Sequence, residues 1–569
     1  MFDLKRNLVS EFIRARSVLT TFLLLLFGAI ALWPSPAHGT VRNVVTQYGA
    51  KGDGTTDDTT AIKNAIAALQ PGDTLFFPCT GSGSTYLITS QLTINVTDVT
   101  VAGDSSRCVV IKDTFSNTGT PSGRIMVIGG NGSSLDATYG SGVLLSATAN
   151  ELSTSFTTAS SLGVNMGDYV YLCQGGPDGP TTLGASCPPS ASNGICDSAG
   201  CRGEVVKVAS VSGNTVTVTT ALHDTYDPVA NSAVAQKVVG PLTGITVKYL
   251  TFDGNGTNAY GLVLAGVAYS TVTDVKARNV QGAAVLGGGD FNVAWNNITI
   301  TQAGSADCGA AAHFEQQGNL TVDTLSITQE NQQGASGSGT CFVNAGAFGF
   351  GLLGSGNSTI SNLTVDATGA KGRPFKFTAA RWNTLNSVIV QNGSSVADNG
   401  LTIEYFSSHN TFNDCIVTDN GTGTGTDGIK LFGNYNQYNV FNNCTVTGNA
   451  YIQFGDTYSD RLGLGTDSHM RSWGEPIRVP SRARRSSFCK RPLTPYRAPQ
   501  SADRYRRVVR LLRLARVSKW MDRTDKPPGP PTHASTTTSS SPAHRRLLTR
   551  LVPMLATEAM WVPATNWAA

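Results

Sequence analysis

The chain has 569 residues, of which 62 are glycine and only 14% are charged. This composition excludes a helical bundle, because glycine destabilises helices and helical surfaces carry many charges. Residues 1–470 carry 22 Lys+Arg against 33 Asp+Glu, whereas residues 471–569 carry 20 against 5. The main body is therefore acidic and only the tail is basic. The basic pI gives no reason to expect nucleic-acid binding by the main body.

The N-terminus has the pattern of an export signal. Four basic residues precede an apolar stretch, Val18 to Trp33, which is too short for a comfortable bilayer span. Proline and small residues follow, up to Gly39. We therefore predict a signal peptide at residues 1–39, with an uncleaved anchor as the alternative. The mature protein is expected to be secreted, periplasmic or on the cell surface, without a membrane segment.

Ten of the eleven cysteines precede the tail, and an even number in an exported chain predicts disulfides. Four cysteines lie between Cys173 and Cys201. Zinc is the alternative there, but no histidine lies between them and the spacing matches no common zinc finger. Three further pairs are predicted from their spacing: Cys79 with Cys108, Cys308 with Cys341, and Cys415 with Cys444, the last either as a disulfide or as a stacked thiol ladder.

A glycine-rich loop opens the mature chain. Asp53, Asp57 and Asp58 lie in or after it and precede the helical pattern Ala61–Leu69, so we expect turn and helix N-cap roles for them. A catalytic or calcium cluster is the alternative. This segment resembles the N-terminal capping unit of the pectate-lyase-like and rhamnogalacturonase-like families. The resemblance implies a right-handed parallel β-helix whose open end is sealed by this unit.

The chain repeats itself from Gly244 onward. Phe412–Asn420 and Phe441–Asn449 are near copies, offset by 29 residues, and looser copies recur at 23 to 29 residues with one gap of 38. A second short strand repeats in step with the first. Two strands for each repeat, with asparagine and glycine at the corners, predict stacked solenoid coils, about eight of them up to Gly455. The pattern fits neither a leucine-rich repeat nor a propeller.

We therefore predict an all-β chain: a right-handed parallel β-helix with an N-terminal capping helix and a small antiparallel β insertion. The predicted segments are the signal (1–39), the cap and first coils (40–145), the insertion with its Cys-rich loop (146–240), the main coils (241–460) and a Pro- and Arg-rich tail (461–569). The tail loses the repeat and nearly all glycine, which favours a disordered or artefactual segment over a membrane-surface or nucleic-acid arm.

Alternation along the second strand defines which residues point outward. One predicted outward column contains Val263, Val285, His313, Gly351, Lys376, Thr402, Lys430 and Gln453, and the next contains Ala265, Gly287, Glu315, Leu353, Thr378, Glu404, Phe432 and Gly455. We expect these residues to be exposed. The predicted catalytic residues are His313, Glu315, Lys376, Glu404 and Lys430. The predicted substrate-binding residues are Tyr405, Asp427, Phe432 and Gln453.

Such a face suits an acidic polysaccharide, because lysine neutralises a uronate carboxylate and histidine or glutamate moves a proton. The chain resembles polygalacturonases in fold but lacks their neighbouring aspartates. Glu315 and Glu404 lie three coils apart, about 14 Å, which is too far for hydrolysis. We therefore predict a lyase, an epimerase or, less favoured, a glycoside hydrolase. A non-catalytic adhesion β-helix is the alternative. The sequence defines neither a cofactor nor an oligomeric state, and a divalent cation such as calcium stays open.

Overall fold

The computed structural model shows a parallel β-solenoid of about 11 turns with very little helix. All residues that it describes lie in the compact unit that ends at Arg484. The described residues are 39–81, 83–114, 123–130, 136–174, 202–256, 260–280, 283–303, 310–328, 348–368, 374–393, 400–404, 406–420, 427–432, 436, 438–447, 452–456 and 472–473.

Two parallel sheets form the solenoid walls. Sheet 1 has 19 strands: β1 (Val41–Asn43), β2 (Asp53–Asp57), β3 (Thr74–Phe77), β4 (Ser84–Ile88), β6 (Thr100–Gly103), β7 (Val109–Asp113), β15 (Leu242–Thr243), β16 (Thr246–Lys248), β17 (Thr251–Asp253), β19 (Val267–Val280), β21 (Phe291–Ala303), β23 (Thr321–Thr328), β25 (Thr359–Asp366), β27 (Thr384–Gln391), β29 (Thr411–Asn413), β30 (Ile416–Thr418), β32 (Val440–Asn442), β33 (Thr445–Thr447) and β35 (Ser472–Trp473). Sheet 2 has ten: β5 (Leu92–Ile94), β8 (Arg124–Gly129), β18 (Tyr260–Ala265), β20 (Val285–Gly288), β22 (Ala310–Glu315), β24 (Phe348–Leu353), β26 (Phe375–Thr378), β28 (Leu401–Glu404), β31 (Asp427–Phe432) and β34 (Ile452–Asp456).

A third sheet is antiparallel, and its six strands lie between β8 and β15 in the chain. Sheet 3 contains β9 (Val143–Leu144), β10 (Ser155–Thr157), β11 (Tyr169–Gln174), β12 (Arg202–Ser212), β13 (Thr215–Val218) and β14 (Val234–Lys237). Tyr139 bridges Val238 in the same antiparallel sense. We therefore call residues 136–240 the insertion. It has its own apolar cluster, which includes Phe156, Leu172 and Tyr226.

The single helix among the described residues, α1 (Thr59–Ala67), begins two residues before the predicted start. Its buried residues Ile62 and Ala65 belong to the solenoid core. The aspartates before it bind backbone N–H groups: Asp53 Oδ1 accepts from Thr55 N (2.8 Å), and Asp58 Oδ1 accepts from Lys51 N (2.6 Å). These contacts support the predicted turn roles, whereas Asp58 stands at the N-cap position of α1 without a side-chain capping hydrogen bond.

In the solenoid interior, side chains at equivalent strand positions of successive coils stack on one another. Eight strands of sheet 2 lie between Tyr260 and Asp456, which confirms the predicted repeat. Phe375 pairs with Leu401 and Phe377 with Ile403, and all four side chains lie in the core. Phe377 also contacts Phe412, with ring centroids 5.7 Å apart. Parallel pairing therefore places the same face of every coil inward.

Asparagine stabilises the corners in two ways. Asn292, Asn319 and Asn357 have positive φ and occupy one corner of successive coils. At a neighbouring position, Asn383 Nδ2 donates to Asn410 Oδ1, and Asn410 Nδ2 donates to Asn439 Oδ1, both at 2.9 Å. This buried ladder satisfies side-chain amides that would otherwise lack partners.

Two predicted cysteine pairs are disulfides in the structure. Cys79 and Cys108 have Cα atoms 5.9 Å apart, and Cys415 and Cys444 have Cα atoms 4.4 Å apart on adjacent coils. The stacked free-thiol alternative for Cys415 is therefore wrong. The pair Cys308–Cys341 lies outside the described residues.

Several other predictions also concern residues outside the described ranges. They are the signal at 1–38, the greater part of the Cys-rich loop (175–201) and all of the tail except residues 472–473. Over the part of the chain that the structure describes, no helix is long and apolar enough to cross a membrane.

Truncation of one core ring tests the assigned inward face. Phe377→Ala should lower the free energy of unfolding by about 3–5 kcal/mol, because Phe377 is fully buried and leaves a cavity between coils. The control Thr359→Ala, on the exposed face of β25, should change it by about 0.5 kcal/mol or less. Denaturant unfolding measures both. Equal effects of the two substitutions would mean that the inward face is wrongly assigned.

Candidate functional site

The outer face of sheet 2 carries the predicted site residues in two columns. The register gives column 1 as Val127, Val263, Leu286, His313, Gly351, Lys376, Thr402, Lys430 and Gly455, and column 2 as Gly129, Ala265, Gly288, Glu315, Leu353, Thr378, Glu404 and Phe432. The predicted columns are correct from His313 to Lys430 and from Glu315 to Phe432. They are wrong by one residue in β20, where Leu286 and Gly288 replace Val285 and Gly287. They are wrong by two in β34, where Gly455 replaces Gln453.

The predicted exposure of these columns is wrong. Lys376 is 1% exposed and Glu404 3%, and His313, Glu315 and Thr402 are equally buried. Alternation correctly sets their direction, since Val263 and Leu286, which share column 1 with His313, belong to an apolar cluster separate from the solenoid core. Exposure depends on what lies over the sheet, which strand alternation does not encode. Among the described site residues, Lys430 is half-buried and marks where solvent reaches column 1.

Lys376 and Glu404 form a buried ion pair across adjacent coils. Lys376 Nζ lies 3.4 Å from Glu404 Oε2, and Thr378 Oγ1 also donates to that oxygen at 3.3 Å. The two strands place Thr378 opposite Glu404, so both contacts follow from the register. A buried cation beside a carboxylate can balance the charge of an anionic ligand or hold a base ionised.

His313 and Glu315 form a second pair, two residues apart along β22 and therefore on the same face. His313 Nε2 lies 3.3 Å from Glu315 Oε2, and both side chains are buried. His313 Nδ1 is buried without a hydrogen-bond partner. The arrangement orients an imidazole by a carboxylate and leaves its other nitrogen for a further contact.

The structure describes the side chain of none of the four predicted substrate-binding residues. Tyr405 lies outside the described residues. For Asp427, Phe432 and Gln453 the structure describes only the backbone, in β31 and β34. Phe432 pairs with Glu404 in register, so it occupies the predicted column. These assignments stay predictions.

The insertion contacts the solenoid at a corner built from glycine. A Cβ added to Gly289 would lie 2.4 Å from Tyr139 Oη, one on Gly318 would lie against Val205 O, and one on Gly356 against His223 Nδ1. Any larger residue at these positions would displace the insertion. The glycines that the sequence marks as solenoid corners therefore also form the seat of the insertion.

An ionic network fixes the insertion beside the site. Arg202 makes a bidentate pair with Asp224 at 2.7 and 2.8 Å, and its guanidinium lies 4.3 Å from the ring centre of Phe406, two residues after Glu404. Arg381 of the solenoid joins Asp224 at 3.3 Å and the insertion's Glu151 at 2.6 Å. Burial raises the pKa of Asp224, but the two arginines outweigh it and hold that pKa at about 2.

The structure also brings Glu315 together with two carboxyl groups, Asp136 and Asp290, that were not among the predicted site residues. Asp136 of the insertion and Asp290 and Glu315 of the solenoid are all buried and interact electrostatically. Burial, and then the Glu315 charge, raise the pKa of Asp136 well above its usual range. Tyr139 Oη lies 2.9 Å from Asp136 Oδ1. The run Gly287-Gly288-Gly289-Asp290 was the available sequence signal, because three glycines mark a close approach beside an acid.

Within the described ranges, no group of three or more His, Cys, Asp or Glu side chains is arranged to hold a metal ion. The divalent cation that the sequence leaves open therefore has no described cluster to hold it, and no step below depends on one.

Comparison with known proteins gives a family match for the N-terminal segment. Residues 41–156 match the family described as rhamnogalacturonase A/epimerase, pectate lyase-like. Together with the parallel β-solenoid, this match confirms the predicted resemblance. A sequence search of curated proteins finds no match.

Solved structures with a similar fold are distant. The tailspike gp49 from Pseudomonas phage LKA1 is 15% identical, with 74% of this chain and 78% of that chain covered and a TM-score of 0.43. The A-module of mannuronan C-5 epimerase AlgE4 from Azotobacter vinelandii is 12% identical, with coverages of 76% and 100% and a TM-score of 0.32. The Gp54 tailspike of Acinetobacter baumannii bacteriophage AP22, solved with a capsular saccharide, is 13% identical, with coverages of 72% and 70% and a TM-score of 0.29.

The burial of Lys376 and Glu404 reverses the stability effect expected for exposed charges. Lys376→Ala or Glu404→Ala should each lower the free energy of unfolding by about 3 kcal/mol or more, because each removes one charge of a buried pair. Lys376→Met with Glu404→Leu should recover most of that loss. Lys430 is half-buried, so Lys430→Ala should lower the free energy of unfolding by about 1 kcal/mol or less. Chemical denaturation of all four variants measures this, and single variants as stable as Lys430→Ala would contradict the buried pair.

The raised pKa of Asp136 predicts a stability that falls as pH rises. A carboxyl with a folded pKa above its unfolded value of 3.8 stabilises the fold in its protonated form, and that stability is lost as pH rises towards the folded pKa. Asp136→Asn should remove this part of the pH dependence of Tm, since asparagine does not ionise.

The matched control for that experiment is Asp168→Asn. Burial raises the pKa of Asp168, but hydrogen bonds from Lys237 and Asn165 outweigh it and lower that pKa. Its contribution is therefore present above pH 3.8 and lost as pH falls, so the control should remove stability at neutral pH. A pH profile of Tm that Asp136→Asn leaves unchanged would show that the pKa of Asp136 is the same in the folded and unfolded states, which contradicts the raised pKa.

Proposed function

We propose that this protein is an exported polysaccharide-active β-helix protein that acts on a uronic-acid-containing chain. The observation that carries the proposal is the pair of charged contacts on one face of sheet 2: Lys376 with Glu404, and His313 with Glu315. Burying charges is costly unless they are paired, and both pairs lie in the two columns on the outer face of sheet 2. The family description, which names a rhamnogalacturonase and an epimerase, supports the same class of ligand.

The favoured reaction is lyase or epimerase chemistry. In both, a base removes the proton on the carbon next to the uronate carboxylate, and a cation stabilises the charge that develops on that carboxylate. Lys376 and Lys430 lie in the same column, two coils apart, and supply the cations. His313, oriented by Glu315, is the proposed base. In a lyase the electron pair then expels the glycosidic oxygen, whereas in an epimerase the carbon is reprotonated on the other face.

Glycoside hydrolysis is the second candidate, and the three-carboxyl cluster favours it. Glu315 and Glu404 are separated by three coils in the observed register, about 14 Å, beyond the 5–9.5 Å that hydrolysis uses. Asp136 and Asp290 supply carboxyls close to Glu315, and the raised pKa of Asp136 is what a general acid needs. In this reading Asp136 protonates the leaving oxygen and Glu315 acts as base or nucleophile.

One assay separates the candidates. The purified protein is incubated with a panel of polyuronates. New ultraviolet absorbance at unsaturated ends identifies a lyase, and reducing ends without that absorbance identify a hydrolase. Exchange of the sugar's ring proton with solvent, without cleavage, identifies an epimerase. Binding without any of these changes identifies the adhesion alternative, and the absence of both binding and turnover across the panel would overturn the proposal.

Lys430→Ala tests the ligand site without unfolding the protein. The substitution should lower the affinity for a polyuronate about tenfold or more, because it removes a cation aimed at the ligand, while Tm stays nearly unchanged. Lys51→Ala, an exposed lysine beside α1, is the matched charge control and should leave affinity unchanged. Titration calorimetry at two salt concentrations measures both. Equal losses of affinity for the two variants would mean that the effect comes from net charge alone.

A further inference from the structure

The insertion lies along one corner of the solenoid and is tied to it at one end. Ala137 and Val238, near the two ends of the insertion, share an apolar cluster with Phe291 of the solenoid. From the coil of Phe291 the corner continues, coil on coil, through Gly318, Gly356, Arg381 and Ser408. The last of these coils therefore lies four coil spacings, about 19 Å, from the connected end of the insertion.

At the far end the insertion is held by ionic and aromatic contacts. Glu151 Oε1 of the insertion accepts from Arg381 Nη2 at 2.6 Å and from Trp382 Nε1 at 2.8 Å. His409 Nδ1 lies 3.6 Å from the same oxygen, which is beyond hydrogen-bond distance. The His409 ring is stacked between the rings of Trp382 and Tyr438, with centroids 4.2 and 4.8 Å away. We call these five residues the latch.

The aromatic members of the latch have a costly backbone conformation. Trp382, His409 and Tyr438 have φ values of 58°, 57° and 56°. The two preceding coils place Asn319 and Asn357 at this corner position, and asparagine tolerates positive φ better than large side chains do. Such strain persists where surrounding contacts compensate for it, often at functional sites. The ring stack and the carboxylate of the insertion supply those contacts.

His409 is the member of the latch that ordinarily titrates near neutral pH. A carboxylate oxygen accepts through two lone pairs, and Arg381 and Trp382 already occupy those of Glu151 Oε1. A proton on His409 Nδ1 adds a third donor at that oxygen and a second cation beside Arg381. Nδ1 also lies 3.3 Å from Ser408 Oγ, which can donate to it only while this nitrogen is unprotonated.

The titratable and charged groups that face His409, among the described residues, come from three elements. They are Glu151 of the insertion, Arg381 of the preceding coil and Tyr438 of the following coil, and Asp224 of the insertion lies 3.3 Å from Arg381. Burial lowers the pKa of His409, Glu151 raises it and Arg381 lowers it, and the net pKa lies below its ordinary 6.5. Neutral His409 therefore stabilises docking above pH 6.5, and this stabilisation is lost as pH falls.

We infer that the latch is an acid-sensitive release: protonation of His409 frees the end of the insertion that carries Glu151, while the other end stays docked at Phe291. The freed end uncovers the stacked rings of Trp382 and Tyr438. This release is a property of how the insertion is held and is independent of the reaction that the protein performs.

The distance between the insertion and the solenoid tests the release directly. Spin labels are attached through unnatural amino acids at Val229, an exposed residue of the insertion, and at Thr359, on the exposed face of β25, so that the disulfides stay intact. Pulsed electron resonance on the full-length protein should show a longer distance component that grows as pH falls from about 7.5 to about 4.5. The ratio of long to short distances should rise at most about tenfold for each pH unit, which is the limit for one proton. An unchanged distance distribution over this range would overturn the inference.

Two variants assign the response to the imidazole. His409→Phe keeps a ring in the stack without a titrating nitrogen, and His409→Asn introduces the residue that the preceding coils use at this corner. In both, the growth of the long component at low pH should disappear. Tyr249→Phe, at an exposed position that also has positive φ but lies outside the latch, is the control and should keep the full response. A response that survives in either His409 variant would show that another group releases the insertion, and the inference would fail. Asp136 does not produce this response, because its contribution is lost as pH rises.

Discussion

The fold and its candidate site both depend on in-register parallel pairing between successive coils. Each backbone N–H and C=O is satisfied by the coil above or below, so every strand position is repeated about 4.8 Å further along the axis. Stacked phenylalanines, the asparagine ladder and the Cys415–Cys444 disulfide are three consequences of this one constraint. The same constraint aligns His313, Lys376 and Lys430, which lie far apart in the chain.

The strand register also determined which inward and outward positions the sequence could predict. Alternation of Phe375, Lys376 and Phe377 defined which side chains point inward, and the structure agrees. The prediction slipped by one position in β20, because Gly287, Gly288 and Gly289 carry no side-chain pattern from which a face can be read. It slipped again in β34, at the end of the repeat.

Exposure was the property that local pattern did not encode. A polar residue at an outward strand position is ordinarily solvated, so Lys376 and Glu404 were expected to be exposed. Their burial is a tertiary property, as is the seating of the insertion on Gly289, Gly318 and Gly356. Glycine at a corner has two physical uses, a permissive backbone and a close approach, and one sequence does not distinguish them. The carboxyl Asp136 reaches Asp290 only because of the second use.

Seating an insertion on the solenoid changes the chemistry that a repetitive face can perform. On an open parallel sheet, lysine and glutamate would be solvated and would have little fixed orientation. Beside the insertion, Glu315 lies within electrostatic reach of a protonated Asp136, and Arg202 is held by Asp224 against Phe406. The solenoid thus sets the spacing of the charged groups, and the insertion places the buried Asp136 and Tyr139 within electrostatic reach of Glu315. Variation in the insertion would therefore alter the surroundings of Glu315 without altering the coils that position the side chains.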